Sequence, residues 1–481
     1  MKKVVNRSRT LPSKLKPIYI GVLSLTLYAN PHYVLAADTT WDGSTDNNWF
    51  DGTNWDTGNA PTNADKAVLN NGVINILSAG AVSEDASLNN ASSAITVSGA
   101  GSSWVNSGLL NINAGGSITI NSGATVSNTT SSIHGAGSVS VSGSGSVWTN
   151  NGALRVNNGS VTISDGAQVN VTSLGVVLTS FSPATTGTLH IGAGGAAGVV
   201  NSGAVISGSG TATVNFNHND GNYFFTRDGL TGGAGVQLLG ANLVVNHMGT
   251  GKTTITADNS YEGGTTITNG TLQVGNGGTS GTLGSGNVVN NSSIIFNRSN
   301  ALTFANVISG TGALTQAGSG TLTLSGANTY SGGTNINDGT LSISADNHLG
   351  NAGALTFNGG ALQTTSSFST SRATTLNASG GTFNTDVGTT LTHSGAISGS
   401  GTLTKTGTGT LVLSTGNSFS GGTVVSQGTL KLINFATNTA GNINNNAMLE
   451  LNVSNSGFGF LYYDVISGTG GLVVTGLGDM H

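Results

Sequence analysis

Trp41, Trp49 and Trp55 alternate with Asp42, Asp46, Asp51 and Asp56 in the stretch WDGSTDNNWFDGTNWD. Carboxylates at this density can bind a hard cation such as calcium, and indole faces can stack on sugar rings, so the cluster is a candidate calcium or glycan site. Its acids do not follow the loop spacing of a helix–loop–helix calcium site, and the glycine-rich nonapeptides of calcium-binding β-rolls are absent. The bland alternative is a cap, bulky and charged cover for the open end of a stack of strands. The cap is the preferred expectation, with metal and cofactor sites assigned to no residue.

Catalytic constellations are sparse. None of the three glutamates, Glu84, Glu262 and Glu450, follows a histidine, so no H-E-x-x-H zinc helix exists. Paired carboxylates for glycan cleavage must stand a few ångströms apart, whereas Asp338, Asp346 and Asp386 are scattered along the chain. The eight histidines are dispersed. The expectation is a non-enzymatic protein with no catalytic residue and no cofactor. A polysaccharide lyase or glycoside hydrolase is the alternative.

The elements that would position any such residues are short and apolar. The chain has 481 residues, 77 of them glycine, with 7% charged and 6% aromatic residues. Brief runs of Leu, Ile and Val stand between Gly, Ser, Thr and Asn, the pattern of strands separated by turns. Only five prolines occur, so few backbone amides are withheld from a sheet. Lys2, Lys3, Arg7, Arg9, Lys14 and Lys16 precede the apolar stretch IYIGVLSLTLYA, and Val34-Leu35-Ala36 offers small residues for cleavage. Residues 1–36 therefore read as a secretory signal peptide cut after Ala36 or, second choice, Ala37. Its removal takes six of the 14 basic residues and none of the 19 acids, leaving eight against 19, a balance of −11. Such a surface disfavours nucleic acid, whose phosphates need clustered Lys and Arg. The chain has no cysteine, so no disulfide framework supports it.

Internal repetition sets the architecture. Trp104 and Trp148 sit in GSSWVNSG and GSVWTNNG, 44 residues apart. TADNSYEGGTTITNGTLQV, SGANTYSGGTNINDGTLSI and STGNSFSGGTVVSQGTLKL place an Asn (Asn259, Asn328, Asn417) two residues before an aromatic (Tyr261, Tyr330, Phe419). A Gly-Gly-Thr follows (Gly263-Gly264, Gly332-Gly333, Gly421-Gly422), then a Gly-Thr-Leu. Intervals of 44, 69 and 89 residues between such motifs all divide into coils of roughly 22 residues, a solenoid period. Within a coil the side chains alternate: Leu322 and Leu324 face one way, Thr321 and Thr323 the other. The expectation is an all-β, right-handed parallel β-helix with about three strands per coil of roughly 22 residues. In it the Asn bonds its own turn, the aromatic packs over that turn, and the Gly pair relieves the backbone.

GTLTLSGANTYSGGTNINDGTL resembles the autotransporter-associated β-strand repeat, found in the passengers of type V secretion. SGSGTATVNFNHNDGNYFFT resembles the segment that commonly precedes such repeats, and the Trp-rich opening resembles the start of the same kind of passenger. The organisation expected is a signal peptide (1–36), an acidic, Trp-rich cap with first coils (37–90), coils with the 44-residue Trp repeat (91–240), and the associated repeats (241–481), ending within a fourth. The Gly-Asp-Ser-Gly motif of serine-protease autotransporters is absent, since Met480 follows Gly478-Asp479.

The resemblance implies export through Sec and display through a C-terminal translocator barrel in the outer membrane. It implies adhesion, autoaggregation, biofilm formation or virulence, with partners that are host or bacterial cell-surface molecules or further copies of the chain. A barrel needs a series of roughly 10-residue alternating strands, which do not follow the repeats before His481. The expectation is a truncated form, periplasmic if made as written; an inactive truncated product is a further alternative.

Overall fold

The computed structural model describes residues 37–179, 182–351, 353–414, 416–433, 441–452 and 464–475. The expected signal peptide, residues 1–36, and its expected boundary at Ala36 lie outside the described residues, while Ala37 opens the first strand, Ala37–Thr40. The described residues form a parallel β-solenoid of about 18 turns with essentially no helix. No helix among them is long and apolar enough to cross a membrane, which says nothing of β-barrels.

Alternating side chains dictate this form. The strands Ser138–Ser142 and Thr321–Leu324 place every second residue inside, as period-two sequences must when one face is buried. Each strand then pairs in parallel with its counterpart one turn on, so like stacks on like. Ile95, Ile118, Val139, Val161, Leu189 and Val214 form one inner column, and all are buried. Each such side chain contributes about 1.5–3 kcal/mol by leaving water. The outer column beside it reads Thr96, Thr119, Ser140, Thr162. Trp104 and Trp148 both pair with Val126 from opposite sides, so the 44-residue interval is two turns on one corner.

Five sheets run along the solenoid, in staggered succession. The first has 13 strands and ends at Gln237–Leu239; the second has 11 and ends at Ile308–Ser309. The third, of nine strands, begins at Tyr223–Phe224 and ends at Ile397–Gly399. The fourth, also of nine, begins at Leu302–Phe304, and the fifth, of six, at Phe368–Thr370. Each new sheet thus starts shortly before an older one stops.

Turns repeat at about the 22 residues expected, with local variation. Asn128 and Asn150 on adjacent turns are 22 residues apart, but Asn170 and Asn201 are 31 apart. Insertions swell the turns between about residues 159 and 243; thereafter Val245 pairs with Thr265 and the coil is short again.

The Trp-rich opening closes the first end of the core. Trp41, Trp49 and Trp55 are buried and meet edge-on at 5.1 Å, with Trp49 resting 5.6 Å from Trp104. Their faces are packed on one another, not offered to a sugar. The acids hold the loop: Asp46 accepts from Asn48 N and Asn54 Nδ2, Asp51 from Thr53 N, and Asp56 from Thr40 N. Among the described residues no three His, Cys, Asp or Glu side chains converge as a metal site would need.

Candidate functional site

The most specific local structure is the thrice-repeated Asn-x-aromatic loop. Each loop lies on the last strand of a sheet. Asn259 Oδ1 accepts from Leu238 N at 2.8 Å, Asn328 Oδ1 from Ile308 N at 2.7 Å, and Asn417 Oδ1 from Ile397 N at 2.8 Å. Backbone bonds follow in register: Ser260 N to Leu238 O, Thr329 N to Ile308 O, Ser418 N to Ile397 O. Those three acceptor residues belong to the final strands of the first, second and third sheets. The amide side chain supplies the carbonyl that the missing next strand would have supplied, so a buried N–H is satisfied where a ladder ends. Its Nδ2 then reaches onward, to Thr282 O from Asn259 and to His348 O from Asn328. Asn259 Nδ2 also donates to Ala257 O in its own loop, the bond expected from sequence. The Asn in addition stitches adjacent turns together.

The aromatic lies against its own turn on the core side. Tyr261, Tyr330 and Phe419 are buried in the core. Tyr261 and Tyr330 hydroxyls stand 2.7 Å from Thr265 and Thr334 Oγ1, the threonines of Gly-Gly-Thr. Burial pushes both phenols up to about 12, so they stay protonated. The ring fills the space a strand's side chains would have filled, and the threonine answers its polar end.

The glycine pair is required by contact and by dihedral angle. A Cβ on Gly332 or Gly421 would stand 2.4 or 2.3 Å from the backbone of Gly312 or Gly401 one turn back. The second member, Gly264, Gly333 or Gly422, has φ between +77° and +91°, a region L-residues with a Cβ avoid.

A second recurrent feature escaped the sequence reading. Just before the Gly-x-Gly corner an inward polar side chain caps its carbonyls. Gln316 Nε2 donates to Gly318 O and Gly320 O. Lys405, itself fully buried, donates to Thr406 O, Gly407 O and Gln427 O. His247 Nδ1 stands 2.9 Å from Asn269 O. Desolvation lowers the Lys405 ammonium to about 8. In sequence a Lys among Thr and Gly reads as solvated; only the alternation Leu403-in, Thr404-out, Lys405-in could have flagged it.

The scattered acids do not converge. Asp346 is clamped by buried Arg372 at 2.9 Å, Asp386 accepts from Gln363, and Asp338 from Gly339 N. Asp338 and Asp346 share one turn, in which Thr334 is followed by its partner Leu355, but bond to different groups, and Asp386 lies two turns on. The separate coils expected for all three therefore hold only for Asp386.

The passenger-associated-transport-repeat family profile matches residues 248–274, 314–343 and 403–432. Each match encloses one complete Asn-x-aromatic, Gly-Gly-Thr and Gly-Thr-Leu unit. The chain carries the repeats of an autotransporter passenger. No curated protein matches it. In this chain each repeat ends one sheet, which gives the repeat spacing a structural meaning: a repeat stands where a ladder stops.

Asn328→Ala tests that role. It leaves the Ile308 N–H buried and unanswered, a loss of about 1–3 kcal/mol. The expected readout is faster amide exchange at Ile308–Gly310 and a lower midpoint in chemical unfolding. Asn328→Asp keeps the acceptor but sets a buried carboxylate oxygen against His348 O, so at neutral pH it should cost at least as much as Asn328→Ala. Protection equal to that of the parent in Asn328→Ala would show that the side chain is dispensable.

Proposed function

We propose that the solenoid is a surface-displayed passenger that acts in adhesion or self-association, including autoaggregation and biofilm formation. The transport repeats support export toward the cell surface. The observation that favours contact over catalysis is the outer face of the second sheet. From Thr96 through Thr119, Ser140 and Thr162 to His190, one outward, half-buried column spans successive turns without a single Asp, Glu, Lys or Arg; beyond it Asn215 is buried. At 4.8 Å per turn this is a long, flat, hydroxyl-rich wall. It suits many weak hydrogen bonds to cell-surface glycans or to another copy, with little sensitivity to salt.

Cells displaying residues 37–476 on a fused translocator barrel should settle or adhere faster than cells displaying the barrel alone. Replacing Thr119, Ser140 and Thr162 together with Lys should abolish the gain by adding repulsion while leaving the inner columns intact. Equal settling with and without the passenger would reject the proposal. Release of reducing or unsaturated sugar from polysaccharide by the purified protein would instead favour the lyase or hydrolase reading.

A further inference from the structure

We propose that the groove beneath Arg227 binds the carboxylate of an acidic sugar. The groove encloses about 400 Å³ at the corner of the first sheet, lined by Leu174, Asn201, Gln237 and Arg227 among others. It lies in the enlarged turns, where Asn170 and Asn201 are 31 residues apart. Arg227 reaches its lining from a loop closed by the antiparallel bridge between Thr226 and Gly235. Insertions in a solenoid gather on one face, and that face is often the binding face.

Arg227 is placed to meet an anion. Of the eight basic residues after position 36, Lys66, Arg298, Arg372 and Lys431 pair with Asp38, Asp258, Asp346 and Glu450, Lys405 is buried on carbonyls, and Arg155 and Lys252, also outside these ion pairs, do not line the groove. Arg227 is exposed, and among the described residues its guanidinium has no ion pair or hydrogen bond. The neighbouring Asp228 is turned to Thr226 Oγ1 and Leu230 N. Gly203 makes room for the guanidinium: a Cβ there would stand 3.1 Å from Nη2. A planar guanidinium fork matches a carboxylate in a bidentate pair.

The rest of the groove matches a sugar. Asn201 donates Nδ2 to Asn170, which leaves its Oδ1 open to a hydroxyl donor. Gln237 adds a second amide, whose Nε2 makes only a 3.5 Å contact with Asp258 O. Leu174 is 69% exposed and sits at φ +57°, a costly conformation for a branched residue. It presents an apolar surface against which the C–H face of a ring can lie. One cation, polar hydrogen-bonding groups and one apolar face suit a singly charged, hydroxylated ligand.

This deepens the adhesive reading and rests on it, but its test is separate. The purified chain is titrated with N-acetylneuraminyl-lactose, a glucuronate-terminated disaccharide, lactose, and a short peptide with a free C-terminal carboxylate, followed by ligand-observed NMR. At least one acidic sugar should bind about tenfold or more tightly than lactose and the peptide, and Arg227→Ala should remove that margin. Arg227→Lys should recover part of it. Because Arg227 is exposed, the thermal midpoint of Arg227→Ala should match the parent. Binding of an acidic sugar unchanged in Arg227→Ala, equal binding of lactose or of the peptide, or no binding of either acidic probe would each overturn the proposal. Adhesion that fails while Arg227-dependent sugar binding persists would count against the cellular role alone.

Discussion

Replacing Leu322 and Leu324 together with Asp will unravel the turns around the middle repeat. Both leucines point into the tube at 2% and 1% exposure. They stack on Leu302 and Phe304 below, and Leu322 on Leu341 above. The stacking neighbours there are apolar, and Arg298 and Gln316, which line the same small cavity as Leu322, are already engaged with Asp258 and Gly281 O and with Gly318 O. Each carboxylate would therefore cost several kcal/mol beyond the lost burial of a leucine. In a stack whose turns touch only their neighbours, such a loss is local first. Amide exchange should lose protection from the strand Leu302–Phe304 through Thr340–Ile343, while Ser138–Ser142 stays protected. Thr321→Asp with Thr323→Asp, the same charges on the outward face, should leave the unfolding curve nearly unchanged. Equal damage from both pairs, or none from the leucine pair, would mean that the side-chain phase of this strand is wrong.

Acid is the second large lever, through buried histidines. His218 is buried against Tyr223 at 4.9 Å and His247 at 5.8 Å, with Nε2 2.7 Å from Thr253 Oγ1. Desolvation first, then the neighbouring His247, lowers it to about 4, with Asp220 opposing from 3.3 Å. His393 is lowered to about 4 by desolvation, against weaker support from Gly395 O and Asp346. It packs on Phe383 and reaches Thr374 Oγ1 at 2.9 Å. Unfolding restores both to near 6.5, so the unfolded chain binds protons more readily than the folded one. Stability is then complete above about pH 6.5 and is lost progressively toward pH 4, by roughly 3 kcal/mol for each histidine. Chemical unfolding midpoints measured from pH 7.5 to 4 should fall steeply in that window. His393→Gln should flatten its share of the slope, because Gln316 already shows that a glutamine can cap a Gly two residues on. An unchanged midpoint across the window would contradict the neutral, buried state of these rings.

Much of this molecule is legible in one dimension. Leu322, Leu324, Ile336, Leu341 and Ile343 could be assigned to the inside from alternation alone, and all are buried. The 44-residue Trp interval could be divided into two turns because every turn must return the chain to the same corner. The three repeats could be found, and their glycines called structural, because a backbone that must turn tightly has few other residues to use.

Some residues could be located in the sequence but not understood from it. Asn328 could be seen to recur, yet its partner Ile308 lies 20 residues back. That hydrogen bond exists only because one turn is laid on the last strand of a sheet that goes no further. Tyr330 reads equally well as a surface ring or a core ring until the vacant strand position it fills is known. Lys405 carries a charge, which in sequence argues for solvent; the carbonyls that hold it come from a glycine corner in its own turn and from Gln427 in the next.

Local composition by itself determined that this protein is a β-solenoid with a period near 22 residues, an apolar inside and a repeated turn. Those properties follow from side-chain alternation and backbone freedom, which are written residue by residue. Only the tertiary structure decided which ladder each repeat ends, which turns are enlarged, and which basic residue is left facing a groove. Those are relations between residues 20 to 35 positions apart, created by stacking one turn on another, and no local signal in the chain encodes them.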